Sequence, residues 1–417
     1  MSDANLPDPH LTDPDPLHPA GHGLGRHAAI PTGAVPTGTG PDGAVPAGVD
    51  PSLPGVSGAA PDVTRHDLTF TGTAAEYFRL WIVNVALTLV TLGVYLPWAR
   101  VRTRQYFYGH TWLDGQNFEY RANPAALLRG YLLVGALFGL YSYATQRELY
   151  WLALPLIVLY VALYPWLVWR SLRFQAANTV HRGLTFSFHG TAGDSYVAYG
   201  AANVAASVAG IFALPWAWFM QRQYQVRGLG YGQARGHFRG DVAPFYIIGL
   251  TSLGLSLAGG VVALLLGGLV AGAWSALSGE LRAGADFEDL IDGPTVWIFL
   301  GVAYVSFLLL YTVAWQYVRG ATMRYVLNNA ELGGVVRTGA TFSPWGLVWL
   351  SVTNSLAQVV TLGLATPWAA IRRTRFILAG VHVRTITDLD HFRGQAQVPG
   401  TALGEAASEL LDIQVGF

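Results

Sequence analysis

The sequence contains no cysteine and no lysine. Without cysteine there is no disulfide framework, no thiolate zinc site and no thiol nucleophile. Charge is scarce: 12% of the 417 residues are charged, against roughly 25% in a typical soluble domain. The 25 basic residues, all arginine, are balanced by 25 acidic ones. A chain with no global basic excess is not built for bulk nucleic-acid binding. Catalytic signatures are missing too: there is no HExxH, Walker A loop, GxSxG or dinucleotide fingerprint. The expectation is therefore a non-enzyme without a cofactor. The apolar segments carry no ionisable residue at their middles, which argues against a proton-coupled carrier of the usual kind.

What the chain has in excess is apolar residues, at 52%, unevenly spread. Residues 1–66 form a Pro/Gly-rich tail that cannot bury enough surface to offset its ordering entropy and is read as disordered. It holds 12 of the 22 prolines and lacks the basic and apolar regions of a signal peptide. His10, His18, His22 and His27 in it are read as solvated, because nothing fixes a metal geometry. From Phe78 onward, long apolar stretches alternate with Arg-bearing loops. Seven are placed, roughly at 78–98, 125–142, 150–169, 196–219, 245–274, 295–318 and 345–369. About 20 helical residues cross a bilayer core, and in lipid the backbone must satisfy itself. The fold class expected is an α-helical integral membrane protein of about seven apolar helical segments, with small cytoplasmic β-hairpin elements. Gly135/Gly139 and Gly268/Gly272 are small-xxx-small pairs, read either as close-packing faces or as ordinary glycine content.

The membrane domain, 67–394, repeats itself. Asn84, Thr91-Leu92-Gly93, Pro97-Trp98-Ala99 and Arg102 return with identical spacing as Asn354, Thr361-Leu362-Gly363, Pro367-Trp368-Ala369 and Arg372. A weaker copy holds Gly190-Thr191-Ala192 and Pro215-Trp216-Ala217 but not Thr-Leu-Gly. Three repeats are placed at about 67–122, 184–240 and 338–394. A shorter signature, Pro-Trp followed by Gln or Arg and then an aromatic, ends in Gln105-Tyr106, Arg173-Phe174, Gln223-Tyr224 and Arg375-Phe376. A degraded fifth copy lies in Gln316-Tyr317…Arg324-Tyr325. Trp favours the membrane–water interface, and Pro there is expected to end or kink the helix. The loops share a pattern as well: His110-Thr111…Gly115…Phe118 matches Asn178-Thr179…Gly183…Phe186. Asp114-Gly115 is a hairpin signal between alternating stretches.

Arg-rich loops follow five of the segments, whereas residues 275–293 are acidic. The positive-inside rule places every Arg-rich loop in the cytoplasm, and seven alternating crossings cannot satisfy it. If 78–98, 196–219 and 345–369 enter and leave on the cytoplasmic side, four segments cross and the conflict disappears. Seven crossings with inverted repeats is the alternative.

Two sets of residues are candidates for function. Asn84, Thr88 and Thr91 fall on one helix face, as do Asn354, Gln358 and Thr361, with Asn203 and Ser207 echoing the spacing. Such a stripe faces protein or water rather than lipid. It serves either as a polar path or solute site between repeats, or as interhelical hydrogen-bond glue. Trp98, Arg100, Arg102, Trp166, Trp216, Arg222, Trp368 and Arg372 form interface anchors, read as topology determinants or as a grip on anionic lipid head groups. Asp388, Asp390 and His391 are read as a solvated loop, and residues 395–417 as a short C-terminal tail with a helical stretch.

The run Phe70-Thr-Gly72-Thr73…Trp81…Asn84…Thr91-Leu92-Gly93…Pro97-Trp98-Ala99-Arg100 continues through Tyr106-Phe107-Tyr108, Asp114-Gly115 and Asn178-Thr179…Arg182-Gly183. Together these residues resemble the bacterial YjgN-like family of inner-membrane proteins. The resemblance covers about 67–394. It implies a multi-pass inner-membrane protein of unknown biochemical function, with no catalytic residues to carry over. Two functions are expected on this reading: passage or binding of a small solute between repeat segments, or a structural, lipid-interacting scaffold.

Overall fold

A computed structural model describes residues 63–279 and 293–385. Residues 1–62 of the Pro-rich tail, residues 280–292 of the acidic loop, Asp388, Asp390, His391 and the C-terminal stretch lie outside the described residues, whereas residues 64–66, placed in the tail on sequence, belong to the first strand. Those described form ten strands and ten helices in the order strand–helix–helix–strand, five times over. Unit one is β1 (Thr64–Phe70), α1 (Ala74–Val90), α2 (Leu96–Gly109) and β2 (Thr111–Leu113). Unit two is β3 (Gln116–Tyr120), α3 (Pro124–Gln146), α4 (Tyr150–Asn178) and β4 (Thr179–His181). Unit three is β5 (Leu184–Phe188), α5 (Ala192–Phe212, containing a π turn at Tyr196–Ala201), α6 (Leu214–Gly228) and β6 (Leu229–Tyr231). Unit four is β7 (Ala234–Phe238), α7 (Ala243–Ser278), α8 (Pro294–Asn329) and β8 (Ala330–Leu332). Unit five is β9 (Val336–Ala340), α9 (Pro344–Val360), α10 (Thr366–Ala379) and β10 (Val381–Thr385).

The strands pair in chain order, all antiparallel, and β1 pairs with β10 to close a barrel. The β elements expected as small hairpins are therefore parts of one ten-stranded closed sheet. Closure removes the unpaired edges that strands of three to seven residues would otherwise expose. At one rim the units are joined by tight turns. Asp114-Gly115 and Arg182-Gly183 have positive φ at both positions, the geometry whose twist matches a two-residue hairpin.

At the other rim both ends of every helical pair meet. The backbone N–H just past each odd-numbered strand donates to a carbonyl at the end of the returning helix. The five bonds are Thr71 to His110 (3.0 Å), Arg121 to Asn178 (2.9 Å), His189 to Gly228 (2.6 Å), Arg239 to Asn329 (3.0 Å) and Thr341 to Gly380 (2.8 Å). Four residues before each acceptor stands the aromatic of the shorter signature: Tyr106, Phe174, Tyr224, Tyr325 and Phe376. The Tyr106 hydroxyl accepts from the Thr73 N–H at 2.9 Å, and that of Tyr325 from the Asp241 N–H at 2.8 Å. These hydroxyls clamp the chain as it enters the outgoing helix. In the degraded fifth copy, it is Arg324-Tyr325 that takes the structural position.

The chain is mostly helical, and five helices are long and apolar enough to cross a membrane: Pro124–Gln146, Tyr150–Asn178, Ala192–Phe212, Ala243–Ser278 and Pro294–Asn329. Seven were expected. The difference lies at 78–98 and 345–369, neither of which is one helix. Thr-Leu-Gly breaks each: Leu92 and Gly93 have φ of 50° and 91°, Leu362 and Gly363 of 51° and 90°. Gly93 N–H closes back on Thr88 O and Gly363 N–H on Gln358 O, both at 2.7 Å, a helix-terminating turn. The chain then reverses. Pro97, Pro215 and Pro367 stand in the first turn of the returning helices, where a missing N–H costs nothing. They start helices rather than ending them; Pro165 lies inside α4.

Helix α7 packs on α8 along Gly259, Ala263, Gly267, Ala271 and Ser275, all buried and four residues apart. A Cβ on Gly267 would sit 2.9 Å from Phe299 O, and one on Gly259 2.9 Å from Leu310 Cβ. The pairs Gly135/Gly139 and Gly268/Gly272 have nothing within 4 Å of such a Cβ, so they are not the close-packing faces.

Candidate functional site

The barrel interior and the α5, α6 and α8 helices enclose one cavity of about 800 Å³, within the size range of small-molecule sites. Alternation along the strands turns Leu68, Phe118, Phe186, Val336 and Val383 inward. Leu113, Val336 and Val383 are buried and pack with Leu68, Phe118 and Leu332 into an apolar floor. Leu113 ends β2, Leu332 ends β8 and Val336 begins β9, so this floor lies at the turn rim. Two polar groups join it. His181 stacks on Phe118 with ring centroids 4.5 Å apart, and the Tyr231 hydroxyl donates to His181 O at 3.0 Å. Burial pushes the His181 imidazole below its ordinary pKa, with Arg182 adding to the effect, so the ring is neutral at pH 7.

Toward the helices polar groups enter an otherwise apolar lining. Asn203 and Ser207 from α5, Gln221 and Arg222 from α6, and Arg319 and Thr322 from α8 face the cavity. Gln221 donates to Asn203 Oδ1 at 2.8 Å, and Arg222 to Gln225 Oε1 at 2.9 Å. Burial lowers the Arg222 guanidinium's pKa, Tyr199 partly offsets this, and Arg319 lowers it further. Burial and then Arg319 do the same to Arg373 on α10. Three guanidinium groups therefore share one region. Thr322 is 5% exposed, and its hydroxyl has no hydrogen-bond partner among the described residues. The cavity's carboxylate, Glu331, is already engaged by Arg239 at 3.1 Å and Arg337 at 3.2 Å.

The structure divides the expected polar stripe. Asn84 donates to Ala99 O at 3.3 Å and Asn354 to Ala369 O at 3.2 Å, each tying the outgoing helix to the returning one. Thr91 and Thr361 accept from the N–H groups of Tyr95 (3.0 Å) and Ala365 (2.9 Å) and so hold the reversals. Thr88 bonds back to Asn84 O at 2.6 Å, and Gln358 lies half-buried one turn beyond Asn354. Only Asn203 and Ser207 reach the cavity. Among the anchors, Arg372 lies 5.1 Å over the Trp368 ring and donates to Thr353 Oγ1 (2.7 Å) and Asn354 Oδ1 (2.9 Å). Arg170 lies 5.6 Å over Trp166. Trp98 stacks on Tyr95, over which Arg102 sits at 5.7 Å. Trp216 and Arg100 are half-buried. Arg222 lines the cavity.

The family described as bacterial protein of unknown function (DUF898) matches residues 65–410. This chain belongs to the DUF898 family. The DUF898 match begins at Arg65, the second residue of β1, and runs through all the later strands and helices described above. The chain is 26% identical over 371 residues to the inner membrane protein YjgN of Salmonella typhimurium, covering 80% of this chain and 91% of that one. It is 34% identical over 133 residues to the inner membrane protein YjgN of Escherichia coli K12, about a third of each chain. No solved structure matches it significantly. With five membrane-length apolar helices, this DUF898 chain is an inner-membrane protein of a family without assigned function.

The sequence reading missed Gln221, Arg319, Thr322, His181 and Tyr231. A signal was available for two of them: Arg319 and Thr322 stand six and three residues before Tyr325, as Trp218 and Gln221 stand before Tyr224.

Proposed function

We propose that this DUF898 protein binds a small solute in the barrel cavity, entering from the membrane side between α5, α6 and α8. The observation that carries this reading is the cavity itself: apolar residues pack at the turn rim, and polar side chains enter an otherwise apolar lining where the helices begin. Apolar side chains packed across the turn rim favour holding a solute over conducting it through the barrel axis. The test is native mass spectrometry of the protein released from lipid nanodiscs. A bound small molecule is expected on the wild type and not on Ala206→Trp, which places an indole on the α5 wall. Wild type and variant that both stay empty would count against the reading.

The same proposal places the barrel at the cytoplasmic face, with α3, α4, α7 and α8 crossing and the three other helical pairs dipping in. At 1.5 Å per residue, the 17 residues of α1 or α9 reach about 25 Å, short of a hydrocarbon core of about 30 Å, whereas the 36 residues of α7 and α8 reach about 54 Å. The reversal tips are apolar and bare: Leu92 is 95% exposed, Leu362 94% and Phe212 78%. Such tips suit a bilayer interior. The scaffold reading keeps one observation in its favour, the Arg–Trp stacks at Trp166 and Trp368, which suit anionic head groups. Enrichment of anionic lipid in polymer-extracted native discs, lost in Arg170→Gln/Arg372→Gln, is its expected mark.

A further inference from the structure

The cavity is long for its volume. At one end its lining reaches Leu214 on α6 and Trp315 on α8. Each stands fourteen residues, about 21 Å of helix, from the barrel end of its helix. At the other end lies the apolar floor of Leu113, Val336 and Val383 at the turn rim, a tilted strand's height further on. Drawn out over roughly 30 Å, the volume of about 800 Å³ leaves a mean cross-section of roughly 27 Å², about 5 Å on a side. Neighbouring extended chains pack about 4.7–4.9 Å apart, so the space is one chain wide. A rounded solute would meet one stretch of it, whereas an unbranched chain meets it all. The helical end is open: Leu214 and Trp315 are exposed. Leu214 follows the apolar reversal tip at Phe212 by two residues, which makes the cavity continuous with the lipid-facing surface.

The polar lining asks little of an occupant. Gln221 bonds Asn203, Ser207 bonds back to Asn203 O, and Glu331 is held by Arg239 and Arg337. Arg222 and Arg319 have interactions of their own within the protein. Of the lining residues, only Thr322 has a buried side-chain polar atom without a partner among the described residues. It stands seven residues, about 10 Å of helix, from the barrel end of α8, part-way along the cavity. A buried hydroxyl left unmet carries a desolvation cost, which one neutral oxygen relieves. A charged group would add a desolvation cost of its own in so apolar a bore.

We propose that the occupant is a single-chain, uncharged lipid drawn from the bilayer, its one oxygen at Thr322 and its hydrocarbon tail among Phe118, Phe186 and the barrel floor. This rests on the solute-binding reading above and specifies its ligand class.

The full chain carrying Phe118→Trp is placed in phosphatidylcholine nanodiscs. Phe118 lines the cavity inside the barrel, where bromine dissolved in the bilayer does not reach. Bromine quenches indoles at close range, so the difference from wild type reads the cavity. 12-Bromododecan-1-ol is expected to quench this indole saturably. 1-Bromododecane, which lacks the oxygen, is expected to bind about threefold to tenfold more weakly at equal mole fraction in the disc. Thr322→Val keeps the shape and should bring the two probes to equal affinity. Phe186→Trp is a second reporter should Phe118→Trp fold poorly. If bromododecane already equals the alcohol without the Thr322 change, or 12-bromododecanoate binds more tightly, the uncharged oxygen at Thr322 is overturned while solute binding survives. If 3-bromopropan-1-ol binds as tightly as the long alcohol, the chain is overturned and a small solute remains. If no probe quenches either reporter saturably in a folded sample, both readings fail together.

Discussion

Asn84 and Asn354 occupy equivalent positions in two repeats, yet their substitution should not cost the same. Each donates to a carbonyl fifteen residues on, at 3.3 and 3.2 Å. Their oxygens differ: Asn354 Oδ1 accepts from the Arg372 guanidinium at 2.9 Å, whereas Asn84 Oδ1 is buried with no partner among the described residues. Asn354→Leu removes a charge-assisted bond, about 1.5–3 kcal/mol, and an interhelical bond of about 0.6 kcal/mol, a total of roughly 2–4 kcal/mol. Asn84→Leu removes one such interhelical bond together with an unsatisfied acceptor, for a net cost of roughly 0–1 kcal/mol. At about 2 °C per kcal/mol for a large domain, thermal melts in mild detergent should show Asn354→Leu some 4–8 °C below wild type and Asn84→Leu within about 2 °C. Arg372→Gln should lower the melt alone and add less than its own effect to Asn354→Leu, since the two share a bond. Equal losses at the two asparagines, or additive losses at Asn354 and Arg372, would refute the assignment.

Further outcomes follow from the packing and the buried imidazoles. Gly267→Leu should disrupt the α7–α8 pair, because its Cβ would meet Phe299 O at 2.9 Å, whereas Gly268→Leu, facing open space, should express and melt like wild type. Burial depresses His181 and His382 below the ordinary value of 6.5. Their unfolded forms therefore bind protons first as pH falls, and the stability they contribute is complete above about 6.5 and lost from there through the folded values. Melts from pH 7.5 to 5 should fall, and His181→Gln should flatten the slope. For topology, an impermeant maleimide added to intact cells should label Glu148→Cys, at the α3–α4 reversal, but not Gln233→Cys in the β6–β7 turn. The reverse pattern would invert the orientation.

Much of the fold was legible because it repeats. The aromatic closing each returning helix kept a fixed distance from its Pro-Trp, and Asp114-Gly115 declared its turn without tertiary help. Barrel closure was not legible. Strands such as Thr111–Leu113 and Leu229–Tyr231 are too short for alternation to mark an inner face, and β1 finds β10 across almost the whole described chain. The same limit governed the site. Spacing put Asn84, Asn203 and Asn354 on equivalent helix faces, but only their neighbours decide that two brace a reversal while Asn203 meets Gln221 in the cavity. Arg222 and Arg372 both follow a Pro-Trp; one turns inward and the other stacks on Trp368, a choice set by residues on other helices. The Thr-Leu-Gly reversal hid within an apolar run because its exposed leucines keep the segment hydrophobic.

The cavity exists only if the sheet closes, and the absence of native cysteine makes closure directly measurable. Arg65 on β1 and Arg384 on β10 are register partners, as are Arg337 on β9 and Arg384. Antiparallel partners bring Cα atoms to about 4.5–5.5 Å, within disulfide reach. Arg65→Cys/Arg384→Cys in native membranes, mildly oxidised, should form an intramolecular disulfide as efficiently as Arg337→Cys/Arg384→Cys. Cross-linking of the second pair without the first would mean an open sheet and would contradict the barrel on which the binding site depends.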